Sequence, residues 1–199
     1  MVIDSGIDPA HPLVKGRGIL HAGRSWAAGA ALEDRLGHGT AVAAVLLAAC
    51  PGAEIVSLRI FDEAPVCNFE RVLEALDAAV EYHPAVVNLS LGTTSVRYRT
   101  ALQERLRRLT EAGGRLCCPA SYGGLPCDPG NLPGVEAVVG DANLLPQWPE
   151  LRPHGGRLLW FASPLPQRHP DGSRPLAARG ESLAVAAVSG VLLRACLPG

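Results

Sequence analysis

The chain has 199 residues, the size of one domain, and 48% of them are hydrophobic against 19% charged, which excludes a disordered or solvating chain. Eighteen Lys and Arg stand against 19 Asp and Glu, a net charge of -1 with a pI near 6.6, so there is no basic field to hold a nucleic-acid backbone. The longest apolar runs, Ala41–Cys50 and Leu183–Leu193, fall well short of the roughly 20 residues of a bilayer span, and no membrane is expected as partner.

In chain order the sequence predicts a strand at Val2–Asp4, a helix at Thr40–Cys50, a strand at Glu54–Ile60 and a helix at Phe69–Tyr82. There follow a strand at Val86–Leu91, a helix at Tyr98–Ala112, strands at Arg115–Cys118, Val135–Gly140 and Leu158–Phe161, and a helix at Ser182–Cys196. The strands are apolar almost without interruption, as strands buried on both faces of a parallel sheet are. Phe69–Leu76 instead spaces its apolar residues near a 3.6 period, with charges on the other side. Alternating strands and helices predict an α/β fold with right-handed crossovers. Gly and Pro gather in Pro119–Gly134 and Pro146–Gly180, which are expected to form long loops outside the sheet. Trp148 and Trp160, flanking the later loops, are expected to pack in the core.

The start, Met1-Val2-Ile3-Asp4, has neither the basic nor the apolar region of an export signal, so a cytoplasmic protein is expected. The six cysteines, Cys50, Cys67, Cys117, Cys118, Cys127 and Cys196, should then be free thiols. They show no Cys-x-x-Cys or tight Cys/His spacing, and neither a metal nor a cofactor is implied.

Three segments carry chemistry. Ile3-Asp4-Ser5-Gly6 places a carboxylate at the end of the first strand; Gly37-His38-Gly39-Thr40 places a glycine-flanked histidine at the start of an apolar helix; Gly180-Glu181-Ser182 opens another apolar helix with a serine. Singly, these are an ordinary turn former, loop residue and helix cap. Together they supply a nucleophile, a base to take its proton and an acid to orient that base, in the chain order Asp, His, Ser. In that order and those motifs the sequence resembles the subtilisin family (subtilases) of serine peptidases. Val87-Asn88-Leu89-Ser90-Leu91-Gly92 is similar to that family's substrate-binding strand, and Asn131–Gly140 to a later core strand.

The resemblance implies a single domain over residues 1–199 with a subtilisin-like three-layer fold, its mostly parallel sheet covered by helices on both faces. It implies that Asp4, His38 and Ser182 are the triad and that Ser90, Leu91 and Gly92 pair with an extended peptide or protein substrate by main-chain hydrogen bonds. Two departures matter. Cys118-Pro119-Ala120-Ser121 stands where the family usually has Ala-Ala-Gly-Asn, so the oxyanion donor falls to Ser121, a backbone N–H or, further along the loop, Asn131. Glu181 replaces the threonine that usually precedes the nucleophile. The expected function is a narrow-specificity intracellular processing endopeptidase; the alternative is a pseudoprotease kept as a peptide-binding or scaffold subunit. The helix after Ser182 is apolar nearly all round, which predicts either a homodimer or a complex with a second protein, unless the Pro146–Gly180 loops fold back over it.

Overall fold

The computed structural model describes residues 1–166 and 180–197. Ten strands and four α-helices are described: β1 (Val2–Asp4), β2 (Ile19–Ser25), α1 (His38–Ala49), β3 (Glu54–Arg59), α2 (Phe69–Glu81), β4 (Val86–Leu89), α3 (Arg99–Glu111), β5 (Arg115–Pro119), β6 (Ser121–Tyr122), β7 (Leu125–Pro126), β8 (Glu136–Gly140), β9 (Glu150–His154), β10 (Arg157–Ala162) and α4 (Glu181–Cys196). Eight strands form one sheet in the order β2-β3-β1-β4-β5-β8-β10-β9, and every pairing in it is parallel except β9 with β10.

The period-2 alternation of a strand sorts neighbouring residues onto opposite faces. Val2, Val86 and Cys117 turn toward α1 and α4, while Ile3, Val87, Leu116 and Cys118 turn toward α2 and α3. The result is the three-layer arrangement expected, with a separate apolar core on each side of the sheet. α2 is amphipathic, burying Val72, Ala75, Leu76 and Ala79. α1 and α4 are the opposite case: Thr40–Leu47 of α1 and Leu183–Gly190 of α4 are buried throughout. A helix apolar on all sides must lie between other elements, and these two cover each other as well as the sheet. A side chain at Gly190 of α4 would meet Leu46 and Ala49 of α1. Asp4, ending β1, bonds His38 at the start of α1, and the carbonyl of Ser90, just beyond the parallel strand β4, accepts Ser182 at the start of α4, so both helices start at the carboxyl end of these strands.

Four strands, β2, β6, β7 and β9, escaped the sequence. β2 is an edge strand, largely exposed, with Gly23 pressed against the Ser57 backbone. β9 and its turn to β10 lie in the stretch expected to be loop; Pro153, which has no N–H to donate, is tolerated because β9 is the other edge. Gly155-Gly156, both at positive φ, make the two-residue turn that a right-twisted hairpin requires. Gly123-Gly124 do the same between β6 and β7, a small hairpin within the Pro119–Gly134 loop. Of the two tryptophans expected in the core, Trp160 packs against it and donates to Glu136 Oε2 at 2.7 Å, whereas Trp148 is exposed.

Candidate active site

In an open parallel sheet the crevice at the carboxyl ends of the strands, where strand order changes direction, is the natural site. Here that point falls between β1 and β4. Asp4 ends β1, Ser90 follows β4, Ser121 follows β5, and Glu181 reaches over Gly140 at the end of β8.

Asp4 is 1% exposed, and its Oδ1 accepts the Ser5 N–H and His38 Nδ1, each at 2.7 Å. Its Oδ2 is buried and has no hydrogen-bond partner among the described residues. His38 is the first residue of α1, and the glycines beside it explain how it reaches Asp4. Gly37 adopts φ 72°, a left-handed conformation that turns the loop into the helix. At Gly39 a Cβ would lie 2.1 Å from the Gly6 carbonyl oxygen and 3.2 Å from Asp4 Cβ, so only glycine lets the helix start close against the end of β1. Burial opposes the imidazolium, but the hydrogen bond to Asp4, the Asp4 charge and the Asp34 charge together outweigh it. The His38 pKa is held above the ordinary histidine value.

Ser182 is the second residue of α4, next to the unpaired N–H groups and positive dipole end of the helix. Gly180 before it has φ 125°, a conformation open to glycine alone. Ser182 Oγ donates to the Ser90 carbonyl at 3.5 Å, the long limit of a hydrogen bond. The Ser90 side chain is linked to α4: its Oγ donates to Asn88 Oδ1 at 3.0 Å, and Asn88 Nδ2 donates to Ser189 Oγ at 3.0 Å. Leu91 and Gly92 continue from Ser90, and Gly92 is packed so closely that a Cβ there would lie 2.5 Å from Cys127 Sγ. Thr93 and Asp128 exchange two main-chain bonds of 2.8 Å, and Arg99 clamps the Asp128 carboxylate at 2.8 and 3.3 Å. The segment 90–93 is thus fastened at both ends.

The two oxyanion candidates part company. Ser121 lies beside the nucleophile helix, but its hydroxyl donates to Glu181 Oε1 at 3.2 Å. Burial pushes the Glu181 carboxyl up, against the opposing effect of that bond. Asn131 is exposed, and its Oδ1 accepts Arg157 Nη1 at 3.3 Å. Next to it, Gly130 is packed against Pro119 and Ala120, and Arg157 holds the Gly130 carbonyl at 2.9 Å. Asp34, Ser5 and Thr40, which surround His38, were not singled out in the sequence; the one available signal was an aspartate three residues before Gly37, a spacing at which its side chain reaches forward to main-chain N–H groups.

The profile of the subtilase family matches residues 1–121, a span that includes Asp4, His38 and the Ser90–Gly92 segment. The chain belongs to the subtilase family of serine peptidases. No curated protein matches it in sequence. Among solved structures, a cold-adapted subtilisin-like serine proteinase is similar at 22% identity and TM-score 0.70, over 96% of this chain and 72% of that one. A mutant of the protease domain of PatA aligns at 20% identity and TM-score 0.67, over 96% and 77% of the two chains. The prenylagaramide maturation protease PagA aligns at 22% identity and TM-score 0.64, over 96% and 73%. These likenesses, each over 96% of this chain, establish the subtilisin-like fold. No helix among the described residues is long and apolar enough to cross a membrane.

Proposed function

We propose that this subtilase is a serine endopeptidase in which Asp4, His38 and Ser182 form the catalytic triad. The observation that carries this reading is the 2.7 Å bond from His38 Nδ1 to Asp4, made at the start of a helix that runs alongside the one opened by Ser182. With Nδ1 bonded to a carboxylate, the other ring nitrogen is left as the base. Ser182 Oγ turns from the Ser90 carbonyl to His38 Nε2, gives up its proton and attacks the scissile carbonyl. The imidazolium then protonates the leaving amine, and water repeats the sequence on the acyl-enzyme. An extended substrate lies against Ser90, Leu91 and Gly92, whose main chain is held rigid for pairing. One of the similar folds is a maturation protease, which supports a role in trimming one peptide or precursor. Six free thiols fit work inside the cell.

A second reading, a pseudoprotease that binds peptide without cutting it, draws support from one contact. The hydroxyl of Ser121, a candidate oxyanion donor, is already given to the Glu181 carboxylate. Peptide-library cleavage with the native chain and Ser182→Ala separates the two readings. Cleavage that falls on the order of 10⁶-fold in the variant supports the enzyme. Binding of the same peptides with no cleavage by either chain supports the pseudoprotease.

A further inference from the structure

Beside the Asp4–His38 pair lies a second hydrogen-bonded knot that the triad chemistry does not use, and its centre is Asp34. Asp34 Oδ1 accepts the Ser5 hydroxyl at 2.8 Å and the N–H groups of Leu36 and Gly37 at 3.1 and 2.8 Å. Its Oδ2 accepts the Thr40 N–H at 2.8 Å and the Thr40 hydroxyl at 2.5 Å. Ser5 Oγ in turn accepts the Gly39 N–H at 2.9 Å, and Thr40 Oγ1 accepts the Asp8 N–H at 3.0 Å. Gly37, the residue at the cap position of α1, has no side chain to satisfy the first N–H groups of the helix, and Asp34 supplies the missing acceptor. Both neighbours of His38 are thereby tied to one carboxylate, Gly37 directly and Gly39 through Ser5, and Ser5 is the residue after Asp4.

We infer that Asp34 is a positioning residue for His38, holding the imidazole in register with Asp4 by binding the backbone on both sides of it. The inference rests on the assignment of Asp4 and His38 as acid and base. The logic is geometric. A base must sit within a few tenths of an ångström of its working place, and here the helix start, rather than the imidazole itself, is what the network grips. The Asp34 charge also acts on the ring, adding to Asp4 in favouring the imidazolium. The other charged groups around His38 are engaged elsewhere. Glu33 and Arg35, flanking Asp34, pair with each other at 2.9 Å; the Asp8 carboxylate accepts the Ala10 N–H; Glu181 of α4 receives Ser121.

The test uses the full chain. Asp34→Asn keeps an acceptor oxygen for Ser5, Leu36 and Gly37 but sets an NH2 group against Thr40 and removes the charge. Its His38 ring titration, followed by NMR and assigned by its disappearance in His38→Gln, is expected to move to lower pH. Its kcat/KM should fall with KM nearly unchanged, and Asp34→Ala should lose on the order of 10²-fold. A folded Asp34→Asn with native His38 midpoint and native kcat/KM overturns the inference. If neither Asp34 variant folds, Thr40→Val removes one bond to Asp34; a several-fold fall in kcat with displaced His38 resonances supports the positioning role, and native values refute it. The NMR titration requires no turnover. A shifted His38 midpoint in a chain whose Ser182 is unreactive would uphold Asp34 and sink the catalytic reading instead.

Discussion

Around His38 the groups that matter are bonded before any substrate arrives: Asp4 to the ring, Asp34 to the helix start through Gly37 and Thr40, and Ser5 bridging the two carboxylates. Around Ser182 the fit is looser, with a 3.5 Å bond to the Ser90 carbonyl and a neighbouring Ser121 hydroxyl committed to Glu181. The base side is preorganised, and the nucleophile side is left for the substrate to complete. Preorganised dipoles act without reorganising at the moment of reaction, so this asymmetry predicts that rate is lost by damage to the first side and gained by repair of the second.

The largest expected effect tests the preorganised side. Asp4→Asn should lower kcat about 10⁴-fold, because the amide can set the wrong imidazole tautomer. The pH profile of the residual activity carries a sign. Catalysis needs neutral His38, so rate rises with pH through a histidine pKa that lies above the ordinary value in the native chain. Removing the Asp4 bond and charge leaves burial unopposed except by Asp34, and the limb should shift to lower pH; a shift upward would contradict the assignment of causes. Linkage gives the matching stability statement. A raised folded pKa contributes stability that is complete below the unfolded histidine value, about 6.5, and is lost as pH rises through the folded one.

Next in size, Gly39→Ala places a Cβ 2.1 Å from the Gly6 carbonyl oxygen, a backbone atom that cannot step aside. Overpacking of this kind costs about 3 kcal/mol or more, and a denaturant midpoint within about 0.5 kcal/mol of native would mean the close approach is not required. The smallest effect sharpens the loose side. Ser121→Asn, whose longer amide can serve an oxyanion while still reaching Glu181, should raise kcat about tenfold, some 1.4 kcal/mol in the barrier. An unchanged or lower kcat would mean the oxyanion hole is built elsewhere, with Asn131 the next residue to test.

The same division explains what the sequence made legible. α1, α4 and the central strands are written in nearly continuous apolar runs, because elements buried on every side have little polar face to encode. The edge strands β2 and β9 carry no such mark, since half of each meets water and one contains Pro153. Asp4, His38 and Ser182 stand out because each lies at an end of a regular element, within two residues of a glycine. Asp34 does not, because its role comes from a loop that folds back to meet Ser5, 29 residues away in sequence. For the same reason the partner of Ser121, in a helix 60 residues further along the chain, was not legible.

The central claim is that Ser182 is an activated nucleophile, and its most direct test is reaction with a fluorophosphonate at neutral pH followed by intact mass and peptide mapping. A single adduct on Ser182, absent in Ser182→Ala and slowed in Asp4→Asn, is the predicted result. A folded chain that takes up no label, or takes it elsewhere, would contradict it.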